Sequence, residues 1–175
     1  MTDTSTPRIR KAATADALLL AELGTRTFSD AFAADNTPED MAAYLEASFS
    51  PHQIASELAD PVSTFLIAEI DGIAVGYAML HDGESPKEVG DENNIELVRF
   101  YVSGEWHGRG VAARLMQACL DEARRKLYRT LWLGVWEHNG RARAFYRKWK
   151  FQDVGEHIFR LGRDLQNDVL MSRTL

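Results

Sequence analysis

A chain of 175 residues with 45% apolar side chains is one domain's worth of sequence, long enough to bury a core without disulfides or metals. Its formal charge of −6 at pH 7 argues against a nucleic-acid binder, whose contact surface is normally basic, and suits a cationic small molecule better. The single cysteine, Cys119, forbids an intrachain disulfide and fits a reducing cytoplasm, and no apolar run nears the roughly 18 residues of a membrane span.

Met1 to Pro7 is polar, lacks an apolar signal core and reads as a frayed start. Arg8 to Ala12 follows as a short strand. Thr14, ahead of Ala15 and Asp16, is placed to cap a helix running toward Phe32, with Leu19, Leu23, Phe28 and Phe32 on its inner face. Thr37 before Pro38, Glu39 and Asp40 combines a cap, a proline at the first helical position and acids in the first turn. That helix carries Met41, Tyr44, Leu45 and Phe49. Ser50-Pro51 opens a third, through Ile54 and Leu58, and Asp60-Pro61 ends it because proline disfavours helix in the residue before it.

The periodicity then changes. Ser63 to Ile70 and Ile73 to Leu80 are strands joined by Asp71-Gly72, a dipeptide that tolerates the positive φ angles of a tight hairpin. His81 to Asn93 is a polar loop with five acids (Asp82, Glu84, Glu88, Asp91 and Glu92), either a solvated connection or a collar for a cationic substrate. Asn94 to Val102 is a strand. Gly108 to Lys126 is a helix with Val111, Leu115, Cys119 and Leu120 at helical spacing, so Cys119 is expected as a packed thiol. Arg129 to Trp136 is apolar on both faces, hence a covered central strand, and the intervening helix makes the two strands parallel neighbours. Asn139 caps a last helix with Ala142, Phe145 and Trp149 inward, and Phe151 to Phe159 and Asn167 to Thr174 close the chain as strands. The sum is one α/β domain over residues 1–175, a mixed sheet that is antiparallel first and parallel in the middle, with helices on both faces.

Chemistry concentrates between Asn94 and Arg125, where Gly104, Gly108 and Gly110 crowd the loop before the helix. Glycines there let backbone N–H groups converge where the helix dipole also favours an anion, so a phosphate-bearing ligand is expected. A P-loop needs a lysine after its last glycine, and none follows. Gly108-Arg109-Gly110-Val111-Ala112-Ala113 fits the G-x-G-x-x-A dinucleotide fingerprint, but the hairpin upstream contradicts the repeated parallel unit that fingerprint opens. The five histidines (His52, His81, His107, His138 and His157) share no ligand spacing, so no metal is expected.

The segment W-H-G-R-G-V-A, preceded by E-L-V-R-F-Y-V and followed by L-G-V-W-E-H-N-G-R-A-R-A-F-Y-R-K-W-K-F, resembles the GNAT superfamily of N-acetyltransferases. His107 stands where that family's [RQ]-x-x-G-x-[GA] loop has Arg or Gln, and Lys150 where it usually has glycine. Pro38 to Phe49, Leu133 to Asn139 and the tail N-D-V-L-M-S-R-T-L are similar to the PaiA-type polyamine N-acetyltransferases, so the likeness covers nearly the whole chain. The resemblance implies a GNAT fold, mostly antiparallel, whose central parallel strands splay at an acetyl-CoA site. It puts His107, Gly108, Arg109, Gly110, Val111, Ala112 and Ala113 on the CoA pyrophosphate. Phe100, Tyr101 and Val102 would align the pantetheine and acetyl group through their backbone, with Asn139 on the pantetheine arm.

The reaction implied is direct transfer of acetyl to an amine. Tyr146 is the expected general acid to the leaving sulfur, with Phe145 next door as the core anchor. Glu96 is the expected base, acting through water, unless it only pairs with a cation such as Arg99. Some family members carry a glutamate on the following strand, where this chain has Gly134. Phe28, Phe32 and Tyr44, with Glu84 of the acidic loop, are the expected acceptor contacts. The expected acceptor is a polyamine or diamine; acetylation of a protein N-terminus or lysine, and a non-catalytic acyl-CoA-binding module, are the rivals. Dimers are frequent in the family, so a homodimer is compatible with the resemblance.

Overall fold

The computed structural model describes residues 6–175, and the polar start through Ser5 lies outside the described residues. β1 (Arg8–Lys11) leads through a 3-10 turn at Thr14–Asp16 into α1 (Ala17–Phe32). Thr14 does not cap the helix. The Asp16 carboxylate takes the Ala13 N–H at 2.7 Å and pairs with Arg10 at 2.8 Å, which tightens the turn and delays the helix to Ala17. The buried stripe of α1 is Leu20, Leu23, Gly24, Thr27 and Phe28; Leu19, expected inward, is exposed. α2 (Pro38–Phe49) and α3 (Pro51–Ala59) start where their caps dictate, Thr37 Oγ1 accepting the Asp40 N–H and Ser50 Oγ the Gln53 N–H.

β2 (Ser63–Ile70) and β3 (Ile73–His81) form the expected hairpin, with Asp71 at φ 50° and Gly72 at φ 80°. β4 (Asn94–Val102), α4 (Val111–Arg125), β5 (Thr130–Trp136) and α5 (Gly140–Lys148) follow. β6 (Gln152–Leu161) and β7 (Asp164–Thr174) run further than their apolar pattern suggests. Gly162 turns the chain tightly, and Asp40 of α2 accepts the Arg163 N–H at 2.9 Å. The seven strands form one sheet in the order β1-β2-β3-β4-β5-β7-β6, antiparallel except between β4 and β5.

Alternation along the strands gives the sheet two cores. Leu66, Ala68 and Ile70 of β2 pack with α4, while Phe65 and Ile67 pack with α1 to α3. Cys119 is fully buried in the first of these, its thiol pushed up by burial. The acidic segment before β4 is not a free loop. Val89 packs on Trp132 of β5, and Asp91 accepts from Thr130 Oγ1, Arg129 and the Asn93 N–H. That cover lets β5 be apolar on both faces, and it stops short of Gly134, which is exposed.

After α5 the chain passes through Lys150 at φ 70°, a left-handed conformation that strains a residue with a Cβ. Lys150→Gly is therefore expected to stabilise the fold by about 1 kcal/mol. In thermal unfolding followed by circular dichroism that corresponds to a rise of about 2–4 °C for a chain of this length.

Candidate active site

β4 and β5 pair over only three residues each, Asn94, Ile95 and Glu96 against Thr130, Leu131 and Trp132. β4 then carries an extra residue: Leu97 faces Leu80 and Arg99 faces Met79, leaving Val98 bulged between them. Beyond the bulge the strands part around a cleft of about 680 Å³, walled by Leu97, Phe100 and Val102 on one side and by Gly134 and Trp136 on the other. Two strand edges thus offer their N–H and C=O groups to a ligand instead of to each other.

At one mouth, α4 begins at Val111 and not at Gly108, because Gly108 and Gly110 take left-handed φ angles of 75° and 83°. No side chain caps this helix, so its first-turn N–H groups and the positive end of its dipole stay open to an anion. His107 bends back, and its Nε2–H donates to the Val102 carbonyl at 2.7 Å, tying the loop to the end of β4. Arg109 lies over the Trp106 ring at 5.2 Å. His107 and Ala112 line the cleft; Gly108, Arg109, Gly110, Val111 and Ala113 frame its mouth without lining it.

The wall opposite comes from α5. Asn139 caps it, accepting the Ala142 N–H at 3.1 Å, and also lines the cleft. Of the expected acid and its expected core anchor, Tyr146 is the more deeply buried. Tyr146 is 8% exposed and packs with Phe100 and Phe151, whereas Phe145 is half-buried and stacks on Phe100 at 5.5 Å. Tyr146 still reaches the cleft, and its hydroxyl has no hydrogen-bond partner among the described residues. Burial, with Cys119 nearby, pushes its ionisation up, so it remains a proton donor through the neutral range.

The sheet face beneath α1 to α3 supplies the far end. Phe28 stacks on Tyr44 at 4.6 Å and meets Phe32 at 4.6 Å, and Tyr44 meets Phe159 at 5.5 Å. Phe28 is itself buried and backs the wall, while Phe32 and Tyr44 are partly open; all three line the cleft, as does Tyr101. Two expected residues are not brought to it. Glu96 lies opposite His81 and Trp132, with no hydrogen bond or ion pair among the described residues, and burial pushes its carboxyl up to about 7. Arg99 does not pair with it, being held by Glu57 of α3. Glu84 is exposed on the acidic segment.

The acids that line the cleft are Asp30, Asp35 and Asp168. Asp30 had a legible signal, since it and Ala31 follow Thr27 at helical spacing; Asp168 emerges only from the register of β7. Among the described residues no three His, Cys, Asp or Glu side chains are grouped to hold a metal, and no helix is long and apolar enough to cross a membrane.

The family profile described as Acetyltransferase (GNAT) family matches residues 25–151. An uncharacterized N-acetyltransferase of Mycobacterium bovis is 39% identical over 160 residues, covering 91% of this chain and 98% of that protein. Among solved structures, PaiA N-acetyltransferase from Thermoplasma acidophilum, in complex with coenzyme A, has a TM-score of 0.79 at 19% identity, over 97% of this chain and 99% of its own. The protein yncA from Salmonella typhimurium, solved with its cofactor acetyl-CoA, has a TM-score of 0.67 at 22% identity, over 98% of this chain and 95% of its own. Both likenesses are of fold.

Proposed function

The chain belongs to the GNAT family of acetyltransferases and is an acetyl-CoA-dependent N-acetyltransferase, and from that premise we propose that its acceptor is the primary amine of a small polyamine or diamine. The observation that carries this reading is the far end of the cleft, where Asp30, Asp35 and Asp168 line a space walled by Phe32, Tyr44 and Phe159. Carboxylates hold ammonium groups, and aromatic faces suit both an alkyl chain and a cation. Asp30 and Asp35 are exposed and unpaired among the described residues, so their charge is available to a ligand.

Acetyl-CoA brings the acyl group as a thioester. The N–H groups from Gly108 to Ala113 fit its pyrophosphate, and the open edge of β4 from Phe100 to Val102 fits the amides of its pantetheine arm, with Asn139 opposite. An N–H on the same edge answers the negative charge that develops on the thioester oxygen as the tetrahedral centre forms. Tyr146 donates the proton that the departing sulfur needs. Any part Glu96 plays runs through water, since its side chain does not line the cleft.

Thiol release from acetyl-CoA, measured against spermidine, spermine, diamines and peptides, tests the acceptor. Faster release with polyamines or diamines than with any peptide is expected. Release with peptides alone would move the reading to a protein acceptor, and CoA binding without release would leave an acyl-CoA-binding module. Asp30→Asn and Asp35→Asn are each expected to raise the KM for the amine about two- to fivefold, the worth of one exposed charge pair, with the KM for acetyl-CoA unchanged.

A further inference from the structure

We infer that Asp168, with His157 behind it, takes the proton from the attacking ammonium, a role that rests on the amine-acceptor reading above. Three strands bring the pair together. Asp168 of β7 lies opposite Trp136 of β5 on one side and His157 of β6 on the other. Cross-strand partners share a face, and here it is the face that carries Tyr44 and Phe159. Gly134 makes the room. A Cβ there would stand 3.0 Å from His157 Nε2 and 3.3 Å from Asp168 Oδ2, so the pair occupies the space that a side chain at 134 would fill.

The surroundings suit a proton acceptor. Asp168 is 7% exposed yet lines the cleft, whereas Glu96 does not. Burial raises its carboxyl and the His157 imidazole, 3.7 Å away, opposes that rise. The remaining titratable groups lining this cleft are Tyr44 from α2, Asp30 and Asp35 from the α1 side, Tyr101 of β4, His107 before α4, His138 and Arg141 past the end of β5, and Tyr146 of α5. None of them forms an ion pair with Asp168 among the described residues. The His157 side chain is 38% exposed, so a proton handed to it has a path to solvent.

The step balances. The ammonium gives one proton to the Asp168 carboxylate, and the neutral nitrogen forms the C–N bond at the thioester carbonyl carbon. The C–S bond breaks, the sulfur takes the Tyr146 proton, and the second nitrogen proton returns to the Tyr146 oxygen. Asp168 passes its proton through His157 to water. Ammonium and thioester thus become amide, thiol and one released proton.

The pH dependence of kcat/KM, with the amine the wild type acetylates best, tests the assignment. The wild-type profile is expected to level off well below the solution pKa of the amine, because the ammonium is deprotonated inside the cleft. In Asp168→Asn only amine already neutral in solution reacts, so kcat/KM should fall about 1,000-fold at pH 7 and climb about tenfold per pH unit toward an amine pKa near 10. His157→Gln should move the acid limb of the profile upward, since it removes the imidazole that opposes the rise in the Asp168 carboxyl. Thermal unfolding and CoA binding of each variant separate a misfolded protein from a slow one. A wild-type plateau in folded Asp168→Asn, or the climbing profile in Glu96→Gln instead, would overturn the assignment while the acceptor reading stands. Failure of the wild type to acetylate any amine would remove both.

Discussion

Tyr146→Phe is expected to lower kcat by about 10²- to 10³-fold, with the KM for acetyl-CoA changed by less than about twofold. The substitution keeps the ring, which sits 6.3 Å from Phe100 and 5.7 Å from Phe151, and removes only the hydroxyl. That hydroxyl has no partner among the described residues, so its loss breaks no hydrogen bond and the melting temperature should hold. What disappears is the donor proposed for the leaving sulfur, so the thiolate has to leave without the Tyr146 proton. Because burial holds Tyr146 protonated well past neutrality, the deficit should be the same at pH 6.5 and pH 8.5. Single-turnover thiol release at saturating acetyl-CoA and amine is the measurement. Full turnover in the variant would take Tyr146 out of the mechanism and leave proton delivery to water.

What could be read in advance follows from how local each cause is. The caps at Thr37 and Ser50 and the Asp71-Gly72 hairpin are each written within a few residues, and the pairing of β4 with β5 follows from the amphipathic helix between them, so each was legible. The start of α1 was not, because the Asp16 carboxylate answers Arg10 and the Ala13 N–H as well as the helix behind it. The burial of Tyr146 over Phe145 turned on about one-third of a helical turn, less than an apolar pattern resolves. The bulge at Val98 leaves no mark of its own, yet it helps to part β4 from β5 and so makes the cleft. Acids chosen for their crowding, Glu84 among them, lie outside the cleft. Of those that line it, Asp30 and Asp35 come from the end of α1 and the turn after it and Asp168 from β7, so they share the cleft only once the fold brings the two ends of the chain together.

Glu57→Ala is expected to cost about 3–5 kcal/mol, a fall in melting temperature of about 6–20 °C. Arg99 is 8% exposed and gives two bonds to Glu57, 2.5 Å to Oε2 and 3.0 Å to Oε1, and a third to the Ser48 carbonyl at 3.0 Å. Its guanidinium also lies over the Phe49 ring at 4.8 Å. The bulge explains how a cation comes to be there. Leu97 packs in the core beneath α4, and without the extra residue Arg99 would share that face; with it, Arg99 turns toward α3 beside Met79. One guanidinium therefore ties the corner between α2 and α3 to the strand that forms the cleft wall. Removing Glu57 leaves this charge buried and unpaired, and the corner that carries Tyr44 and Phe49 should loosen first. Below the melting transition the variant should keep its affinity for CoA, whose proposed site lies on the α4 and α5 side, and lose affinity for the amine. Arg99→Met combined with Glu57→Met should recover most of the stability, because the cost lies in the uncompensated charge and not in the missing contact. Were the double variant as unstable as Glu57→Ala, packing at the corner, and not electrostatics, would hold the acceptor wall in place.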